Sequence, residues 1–426
     1  MLRKAEEILK KYTLCDSCLG RLFGLKGYGL SNSERGKAIK TLLIMDHYKV
    51  NEGITDRELI IKIAETGFKP AIELARKEGF EVEIRTCYLC EGMIDKVKAL
   101  VGKMIDKLND YQYESFLVGC RLPRDIIEKE ETLWSSFSLK DAESIKNEIT
   151  RELGKRISEI TGKSYSPTSP DVTIIVDLIS DELSVYSSPI FIYGRYKKNV
   201  RGLPQNPWFH EDKSRIKFHT SIEELITEPV IRTLRAKSAK FHAAGREDVD
   251  VRTLGNGRPF VVEVKSPKIR KIDLSSLENL INKEAEGLIE VKDLKLVNHS
   301  YVRAIKALAE IARKTYLAKV TFDRPISEEE LAKLESLFKN ITVNQRTPLR
   351  VLHRRQDRIR KKVVYEVKAR KIEDKIAEFE IVCQGGLYVK ELIHGDEGRT
   401  KPNFTEILGK KVIKIELDVI DIEEKI

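Results

Sequence analysis

Acidic and basic side chains are concentrated in one glycine-containing segment of the chain, residues 244–258. Its carboxylates are Glu247, Asp248 and Asp250, and three arginines lie among or just after them. Glycine permits backbone conformations that other residues avoid, so such a loop can present charged side chains at an exposed position. A carboxylate presented in this way can serve as a nucleophile or as a general base. A salt-bridged turn explains the same composition equally well.

Four cysteines form two C-x-x-C pairs, Cys15 with Cys18 and Cys87 with Cys90. Two intervening residues allow both thiolates of a pair to face one metal ion, and two pairs complete a tetrahedral site of the kind that holds zinc. Four protein ligands leave no open position for chemistry, so the predicted zinc is structural. The alternatives are free cysteines in unrelated loops, or a redox pair, whose usual βαβ flanks are missing around both motifs.

Basic residues are dense between positions 346 and 362, where Asp357 is the one acid. Their density predicts a basic strip that contacts phosphate groups and makes binding dependent on salt. The solvated face of a strand or hairpin is the alternative. The candidate contacts of the strip are Arg346, Arg350, Arg354, Arg355 and Arg358.

The composition agrees with a polyanionic partner. The chain has 426 residues, 41% of them hydrophobic, which predicts two or three domains with substantial cores. Lys and Arg number 77 against 67 Asp and Glu, and the net charge of +10 favours nucleic acid, although a Lys- and Glu-rich thermophile surface is an alternative. No apolar run reaches the roughly 18–20 residues of a membrane helix, and the N-terminus is charged, so we expect a cytoplasmic protein.

The residues described above lie in three segments that differ in their secondary-structure pattern. The pattern of residues 1–92 predicts helices, with a Cys pair near each end of the segment. Residues 93–205 alternate helices and strands, including a strand over 183–193, and end in a Pro- and Gly-containing stretch, 202–207, that is typical of an interdomain linker. Residues 213–426 mix helices with β-branched strands. The predicted fold class is mixed α/β, with α+β domains.

Three helix starts are indicated by capping residues. Thr55 with Glu58 has the spacing of a capping box and predicts a helix that ends near residue 79. Ser138 predicts the start of a helix that runs to about residue 160. Ser327 with Glu330 predicts a helix over 328–338.

Three motifs in the second half of the chain occur in the order found in pseudouridine synthases. Gly245-Arg246-Glu247-Asp248 resembles the G-R-x-D signature of these enzymes, in which the Asp is catalytic. The segment 314–318, with Tyr316, is similar to the one whose tyrosine packs on the target base. The segment 383–392 is similar to the one that carries a second tyrosine, here Tyr388, and a basic residue beside the Asp, here Lys390. Many relatives have arginine at the position of Lys390.

The whole layout resembles one branch of that family, the archaeal tRNA pseudouridine synthases with an N-terminal four-cysteine zinc segment and a THUMP domain. The cysteine quartet, the segment 245–260 and the stretch 395–402 carry this resemblance. It implies a THUMP-like RNA-binding domain at 93–205 and a pseudouridine synthase-type catalytic domain, built on a mixed β-sheet, at 213–426. It also implies that the substrate is tRNA and that uridines 54 and 55 of the T-loop are modified.

The resemblance further implies the role of each site residue. Asp248 is the expected catalytic carboxylate, which acts at C1′ either as a nucleophile or as the base of an elimination. Tyr316 and Tyr388 are the expected contacts of the target base. Arg246 and Lys390 are expected to support the carboxylate, with Lys390 as its direct partner. An isomerisation of this kind needs no organic cofactor, and no obligate protein partner is evident.

A second basic cluster lies near the end of the THUMP-like segment, and we expect it to contribute a further RNA contact there. Its members are Arg195, Lys197, Lys198 and Arg201.

Two other functions compete with this interpretation. A different tRNA-modifying enzyme with the same N-terminal half, such as a methyltransferase or a thiolation enzyme, would need a nucleotide or methyl-donor site, and no Gly-rich strand–helix loop follows residue 213. A non-catalytic, zinc-containing RNA-binding protein explains the cysteines and the charge but not the three ordered motifs.

Overall fold

A computed structural model describes residues 1–50, 52–208 and 218–423. The chain divides into two compact units, Met1–Ser188 and Pro189–Ile426. None of the helices in these described ranges combines the length and the hydropathy that crossing a bilayer requires.

The first unit is helical at its start and α/β in its second half. Its helices are α1 (Leu2–Lys11), α2 (Asp16–Arg21), α3 (Asn32–Asp46), α4 (Arg57–Glu65), α5 (Lys69–Lys77), α6 (Met93–Ala99), α7 (Val101–Leu108), α8 (Arg124–Ser136) and α9 (Ile145–Thr161). Its strands are β1 (Tyr48–Lys49), β2 (Gly53–Ile54), β3 (Ser115–Arg121), β4 (Ser164–Tyr165), β5 (Val172–Asp177) and β6 (Glu182–Ser187).

One hydrophobic core runs through the whole first unit. Strands β4, β3, β5 and β6 form its sheet in that order, and buried residues alternate with partly exposed ones along β3 and β5. Apolar side chains of the early helices, such as Ile8 and Leu59, belong to the same buried cluster as Phe116 and Val172 of the sheet. The segments 1–92 and 93–188 therefore share a core, and a domain division at residue 92 remains a prediction.

The second unit is built on a large mixed sheet. Its strands are β7 (Ile190–Lys198), β8 (Ser238–Ala243), β9 (Arg252–Lys265), β10 (Ile289–Val297), β11 (Arg313–Phe322), β12 (Ile341–Arg346), β13 (Ile359–Glu373), β14 (Ile376–Gln384), β15 (Thr400–Lys401) and β16 (Val412–Ile422). Its helices are α10 (Ile222–Thr233), α11 (Leu274–Glu284), α12 (Ser300–Ile311), α13 (Glu328–Leu337), α14 (Val389–His394) and α15 (Phe404–Leu408).

The sheet order is β10-β7-β9-β16-β11-β14-β13-β12-β15, with β8 paired to β9. Neighbouring strands are antiparallel except for the pair β9 and β16, which is parallel. Two hydrophobic clusters pack against this sheet, one that includes β11 and β14 and one that includes α10 and β7. The mixed sheet confirms the predicted fold class.

The region between the units differs from the sequence prediction. Ser188 and Pro189 interrupt the single strand expected over 183–193, so the structure has two strands there, β6 and β7. These two strands pair in different sheets. Strand β7 therefore belongs to the second unit, and the predicted boundary at residue 205 is wrong for this strand. The expected linker 202–207 also lies in the second unit, where Gly202 N–H donates to the Val249 carbonyl at 2.9 Å.

The predicted helix starts have mixed outcomes. The capping box of Ser327 and Glu330 is present at α13 and confirms that prediction. The cap of α4 is Asp56 and not Thr55, since the Asp56 carboxylate accepts the Leu59 N–H. Ser138 does not start a helix, because α9 begins after Ser144.

Candidate active site

The acidic loop joins the end of β8 to the start of β9, beside the parallel pairing of β9 with β16. Gly245 has a φ of +88°, in the left-handed region. A Cβ at this position would lie 2.9 Å from Lys314 Nζ and 3.2 Å from Arg258 Nη1, so the ends of these two side chains would have to shift. The turn is thus fixed at the residue that precedes the acidic side chains.

Glu247 anchors the loop in the protein interior. Its carboxylate pairs with Arg258 Nε at 2.7 Å, and both side chains are 1% exposed. The Tyr196 hydroxyl donates to the same carboxylate at 2.9 Å, and burial raises the pKa of Tyr196 well above its usual value. The Glu247 side chain therefore points into the protein interior. The next side chain along the loop, that of Asp248, is 34% exposed.

The backbone of the loop is held by donors from β7 and the segment that follows it. Lys198 Nζ donates to the Val249 carbonyl at 2.8 Å and the Asp248 carbonyl at 3.2 Å. Arg201 donates to the Asp250 carbonyl at 2.7 Å, and Gln205 donates to the Gly245 carbonyl at 3.0 Å. These bonds satisfy carbonyls that a loop otherwise leaves unpaired, and they fix the direction of Asp248.

This arrangement corrects the RNA-contact prediction for the second basic cluster. Lys198 is fully buried, and burial lowers the pKa of its amine to about 8. Arg195 is also buried and donates to carbonyls, including that of Asn256 at 2.7 Å, while Lys197 pairs with Glu290 at 3.1 Å. All four residues lie in the second unit, where three of them hold backbone carbonyls.

Two cations meet the Asp248 carboxylate. Arg350 Nη1 donates to Asp248 Oδ1 at 2.8 Å, and Lys390 Nζ lies 3.4 Å from Oδ2. Lys390 forms its hydrogen bonds with Asp250, at 2.7 Å, and this contact outweighs the effect of burial and lowers the pKa of the Asp250 carboxyl. The direct hydrogen-bond partner of Asp248 is therefore Arg350, not Lys390 as the resemblance implied.

Arg350 bridges two carboxylates. It lies on a short 3-10 helix, Leu349–Val351, and its Nε pairs with Glu391 Oε1 at 2.6 Å. The Glu391 side chain is 1% exposed, so the ion pair fixes the guanidinium from the interior side. The sequence prediction placed Arg350 among phosphate contacts. A signal for its actual position was present in Glu391, an acid followed by the apolar Leu392 and Ile393 of α14, because a buried acid requires a cation.

The two predicted base-contact tyrosines lie near Asp248 on different elements. Tyr316 is half-buried on β11, and burial raises the pKa of its hydroxyl. Tyr388 precedes α14, where Gln345 of β12 donates to its carbonyl at 2.9 Å and accepts its N–H at 2.8 Å. Arg355 donates to the Tyr388 hydroxyl at 2.8 Å. The Tyr388 ring is thus oriented through both its backbone and its hydroxyl.

These residues line one cavity of about 440 Å³. Its wall includes the charged and aromatic residues Arg246, Asp248, Lys314, Tyr316, Arg350, Tyr388 and Lys390. The volume lies within the range of small-molecule and nucleotide sites. The structure therefore brings the predicted catalytic, base-contact and supporting residues into a single cavity.

Arg246 borders this cavity without an ion pair to Asp248 in the described part of the chain. Its guanidinium lies 5.8 Å from the centre of the Trp208 ring, and that of Arg354 lies 5.6 Å from the same ring. Arg246 and Arg354 are exposed, so the two cations and the indole form the rim of the cavity.

The basic strip is divided between the cavity and the surface. Arg346 pairs with Asp357 at 2.8 Å, and Arg350 and Arg355 contact cavity residues. Arg354 and Arg358 are exposed. The strip is thus continuous with the cavity, which the sequence alone did not indicate.

The cysteine quartet comes together in the first unit. The sulfur atoms of Cys15, Cys18, Cys87 and Cys90 all lie within 4.8 Å of one another, and those of Cys15 and Cys90 are 3.7 Å apart. Tetrahedral zinc with Zn–S bonds of about 2.3 Å separates its sulfur ligands by about 3.8 Å, so the quartet fits this ion.

Donors around the quartet favour the thiolate form that a metal needs. The Cys18 N–H points to Cys15 Sγ at 3.4 Å, and the Cys15 N–H points to Cys87 Sγ at 3.3 Å. The fully buried Arg21 donates to Cys18 Sγ at 2.9 Å and pairs with Glu130 of α8 at 3.0 Å. The quartet could therefore bind a metal ion, and Arg21 links it to the α/β part of the same core.

Comparisons with known proteins agree with this organisation. A family model described as "Pus10, C-terminal" matches residues 191–423, and one described as "Pus10 THUMP domain, archaeal" matches residues 100–177. A curated relative from Thermofilum pendens, named tRNA pseudouridine synthase Pus10, is 52% identical over 99% of this chain and 96% of its own.

Two further relatives with the same name come from other organisms. That of Ignisphaera aggregans is 39% identical over 99% of each chain, and that of Methanocaldococcus jannaschii is 40% identical over 98% of this chain and 94% of its own. A solved structure of a pseudouridylate synthase is 15% identical over 64% of this chain and 82% of its own, with a TM-score of 0.23.

Proposed function

The chain belongs to the Pus10 family, and we propose that it is a tRNA pseudouridine synthase that isomerises uridine to pseudouridine through Asp248. The observation that carries this proposal is that Asp248 lines the same cavity as Tyr316 and Tyr388. Arg350 and Lys390 both lie within ion-pair distance of its carboxylate. By resemblance to the family branch, the proposed targets are uridines 54 and 55 of the T-loop.

The chemistry suits this arrangement. The bond from uracil N1 to C1′ breaks, the base turns, and C5 bonds to the same carbon, so the reaction is an isomerisation. Asp248 supports it either by adding to C1′ or by removing a proton in an elimination. Before either step the uridine must leave its stack, and the Tyr316 and Tyr388 rings are the surfaces that would hold the flipped base. Arg350 and Lys390 would keep Asp248 oriented toward the sugar.

An assay with unmodified tRNA tests the function directly. Full-length protein is incubated with an unmodified tRNA transcript and no added cofactor, and pseudouridine is measured. Transcripts in which each T-loop uridine is replaced in turn would identify the modified position. Absence of pseudouridine from the intact transcript would reject the proposal and favour a non-catalytic tRNA-binding role.

Because tRNA is the proposed substrate, we expect the enzyme in the cytoplasm.

We further propose that the cysteine quartet holds a structural zinc ion. Four cysteine ligands would close the coordination shell, so the ion would join the start of α2 to the segment that leads into α6 and supply no catalytic step. Purified protein is expected to contain about one zinc per chain, and removal of zinc is expected to destabilise the first unit, since metal binding contributes directly to folding. Metal analysis that gives well under one zinc per chain would contradict the site.

The basic strip is proposed to bind tRNA phosphates next to the cavity. Changing Arg354 and Arg355 together to Gln should reduce the salt dependence of tRNA binding, because two phosphate contacts contribute about 1.4–1.8 to the slope of log K against log[salt]. The slope is measured by binding titrations at several salt concentrations. Lys368→Gln/Arg370→Gln is the matched control, since these two cations of β13 already pair with Glu380 and Glu378. An unchanged slope in the Arg354/Arg355 variant would count against the strip.

A further inference from the structure

Lys314 lies at the start of β11, two residues before Tyr316, and so on the same face of the strand. Both side chains line the cavity that contains Asp248. Lys314 is 5% exposed, and its Nζ lies 3.4 Å from the Ala309 carbonyl of α12, which is a long hydrogen bond. The Lys314 ammonium therefore lies at the cavity wall beside the acidic loop, close to Gly245.

No ion pair joins Lys314 to a carboxylate among the residues that the structure describes. The nearby Glu247 is already neutralised by Arg258. Burial, together with the charge of Arg258, lowers the pKa of Lys314 to about 7. The titratable and charged groups around it are Glu247 and Asp248 of the loop, Arg258 of β9, Tyr316 of β11, Lys362 of β13 and Cys383 of β14.

A buried amine without a carboxylate partner destabilises a fold, and such groups are concentrated at functional sites. The two cations that contact Asp248 are already engaged, since Arg350 pairs with Asp248 and Glu391 and Lys390 pairs with Asp250. Lys314 therefore has a charge that a bound substrate could use.

The proposed reaction creates a need for that charge. When the N1–C1′ bond breaks, its electron pair stays on the uracil, whose negative charge spreads over N1 and the two carbonyl oxygens. The same anion forms whether Asp248 adds to C1′ or removes a proton. A preorganised cation at the position where charge develops is among the largest contributions to catalysis.

We propose that the Lys314 ammonium contacts the uracil ring in the cavity and stabilises its negative charge after the N1–C1′ bond has broken. The inference rests on the proposed pseudouridine synthase activity. Lys314 forms no covalent bond. C5 then bonds to C1′ as the Asp248–C1′ bond breaks, or as Asp248 returns the proton that it removed in the elimination. C5 loses its own proton, N1 gains one, and the isomerisation is balanced without a co-reactant.

Lys314→Met tests this role, with Lys319→Met as the matched control on an exposed position of the same strand. The single-turnover rate of Lys314→Met with unmodified tRNA should fall by about 100-fold or more, while the tRNA dissociation constant stays within about twofold. The wild-type rate should decline as pH rises through the pKa of the ammonium, and this decline should be missing in Lys314→Met. Lys319→Met should match wild type throughout.

Thermal unfolding separates this role from a structural one. The lowered pKa of Lys314 means that the folded protein binds fewer protons than the unfolded chain between pH 7 and 10.5, so Lys314 costs most stability below pH 7. Lys314→Met should therefore unfold at the same or a higher temperature than wild type, with the largest gain at or below pH 7.

Three outcomes would overturn the inference. They are an unchanged rate in Lys314→Met, a loss of tRNA affinity that accounts for the loss of rate, and a lowered unfolding temperature that parallels it. A failure of the proposed function itself would look different, because the wild-type protein would then form no pseudouridine.

Discussion

Asp248→Asn is expected to abolish pseudouridine formation and to leave tRNA affinity within about twofold of wild type. The amide is nearly the same size as the carboxylate, but it can neither add to C1′ nor accept a proton there. Loss of a residue that the chemistry requires commonly reduces turnover by roughly 10⁴-fold or more. The measurement is pseudouridine formed in a single turnover, together with a binding titration on the same protein.

Asp250→Asn is the matched control for this change. Its carboxylate is 63% exposed and pairs with Lys390, two residues from Asp248 on the same loop. Removal of this pair frees Lys390 but leaves the Asp248–Arg350 hydrogen bond in place, so some activity should remain. Turnover by Asp248→Asn near that of wild type would remove the basis of the assigned mechanism.

The acidic loop could be recognised from the sequence because its information is local. Gly245 sets the turn, and Glu247 and Asp248 follow it directly, so residue type and spacing suffice to indicate a presented carboxylate. The inward role of Glu247 could not be predicted in this way. It depends on Arg258 and Tyr196, which lie on two paired strands of the sheet.

Residues brought in from distant segments were assigned less well. Arg350 is 102 positions from Asp248, and its dense basic surroundings indicated phosphate binding. Arg195, Lys198 and Arg201 also appeared as a surface cluster by composition. They are structural donors, because β7 pairs with β9 and places the following segment under the catalytic loop.

The two units meet in the chain at Ser188 and Pro189, whereas the local sequence pattern placed the domain boundary near residue 205. Residues 183–193 are rich in strand-forming side chains that Ser188 and Pro189 interrupt, and the pairing partners show that the two resulting strands belong to two sheets. The stretch 202–207 has the composition of a linker, yet its Gly202 and Gln205 contact the catalytic loop. This stretch, with one glycine and two prolines, therefore supports the site instead of linking two domains.

Arg350→Gln should impair both turnover and stability, because one guanidinium serves two carboxylates. Asp248 loses its hydrogen-bond donor at 2.8 Å and is no longer oriented, for which we expect a loss of rate of about 100-fold. Glu391 is left as an uncompensated charge that is 1% exposed, and its other oxygen has no hydrogen-bond partner among the described residues. Because Arg350 is itself 41% exposed, we expect a destabilisation of about 2–3 kcal/mol.

The double variant Arg350→Gln/Glu391→Gln separates the two effects. With Glu391 neutral, no buried charge remains unpaired, so the free energy of unfolding should recover most of the loss measured for Arg350→Gln. Turnover should not recover, since Asp248 still lacks its donor. Denaturant unfolding and single-turnover assays on wild type, both single variants and the double variant complete the cycle. Recovery of turnover together with stability would show that Arg350 acts on the fold alone and that Lys390 suffices to hold the catalytic carboxylate.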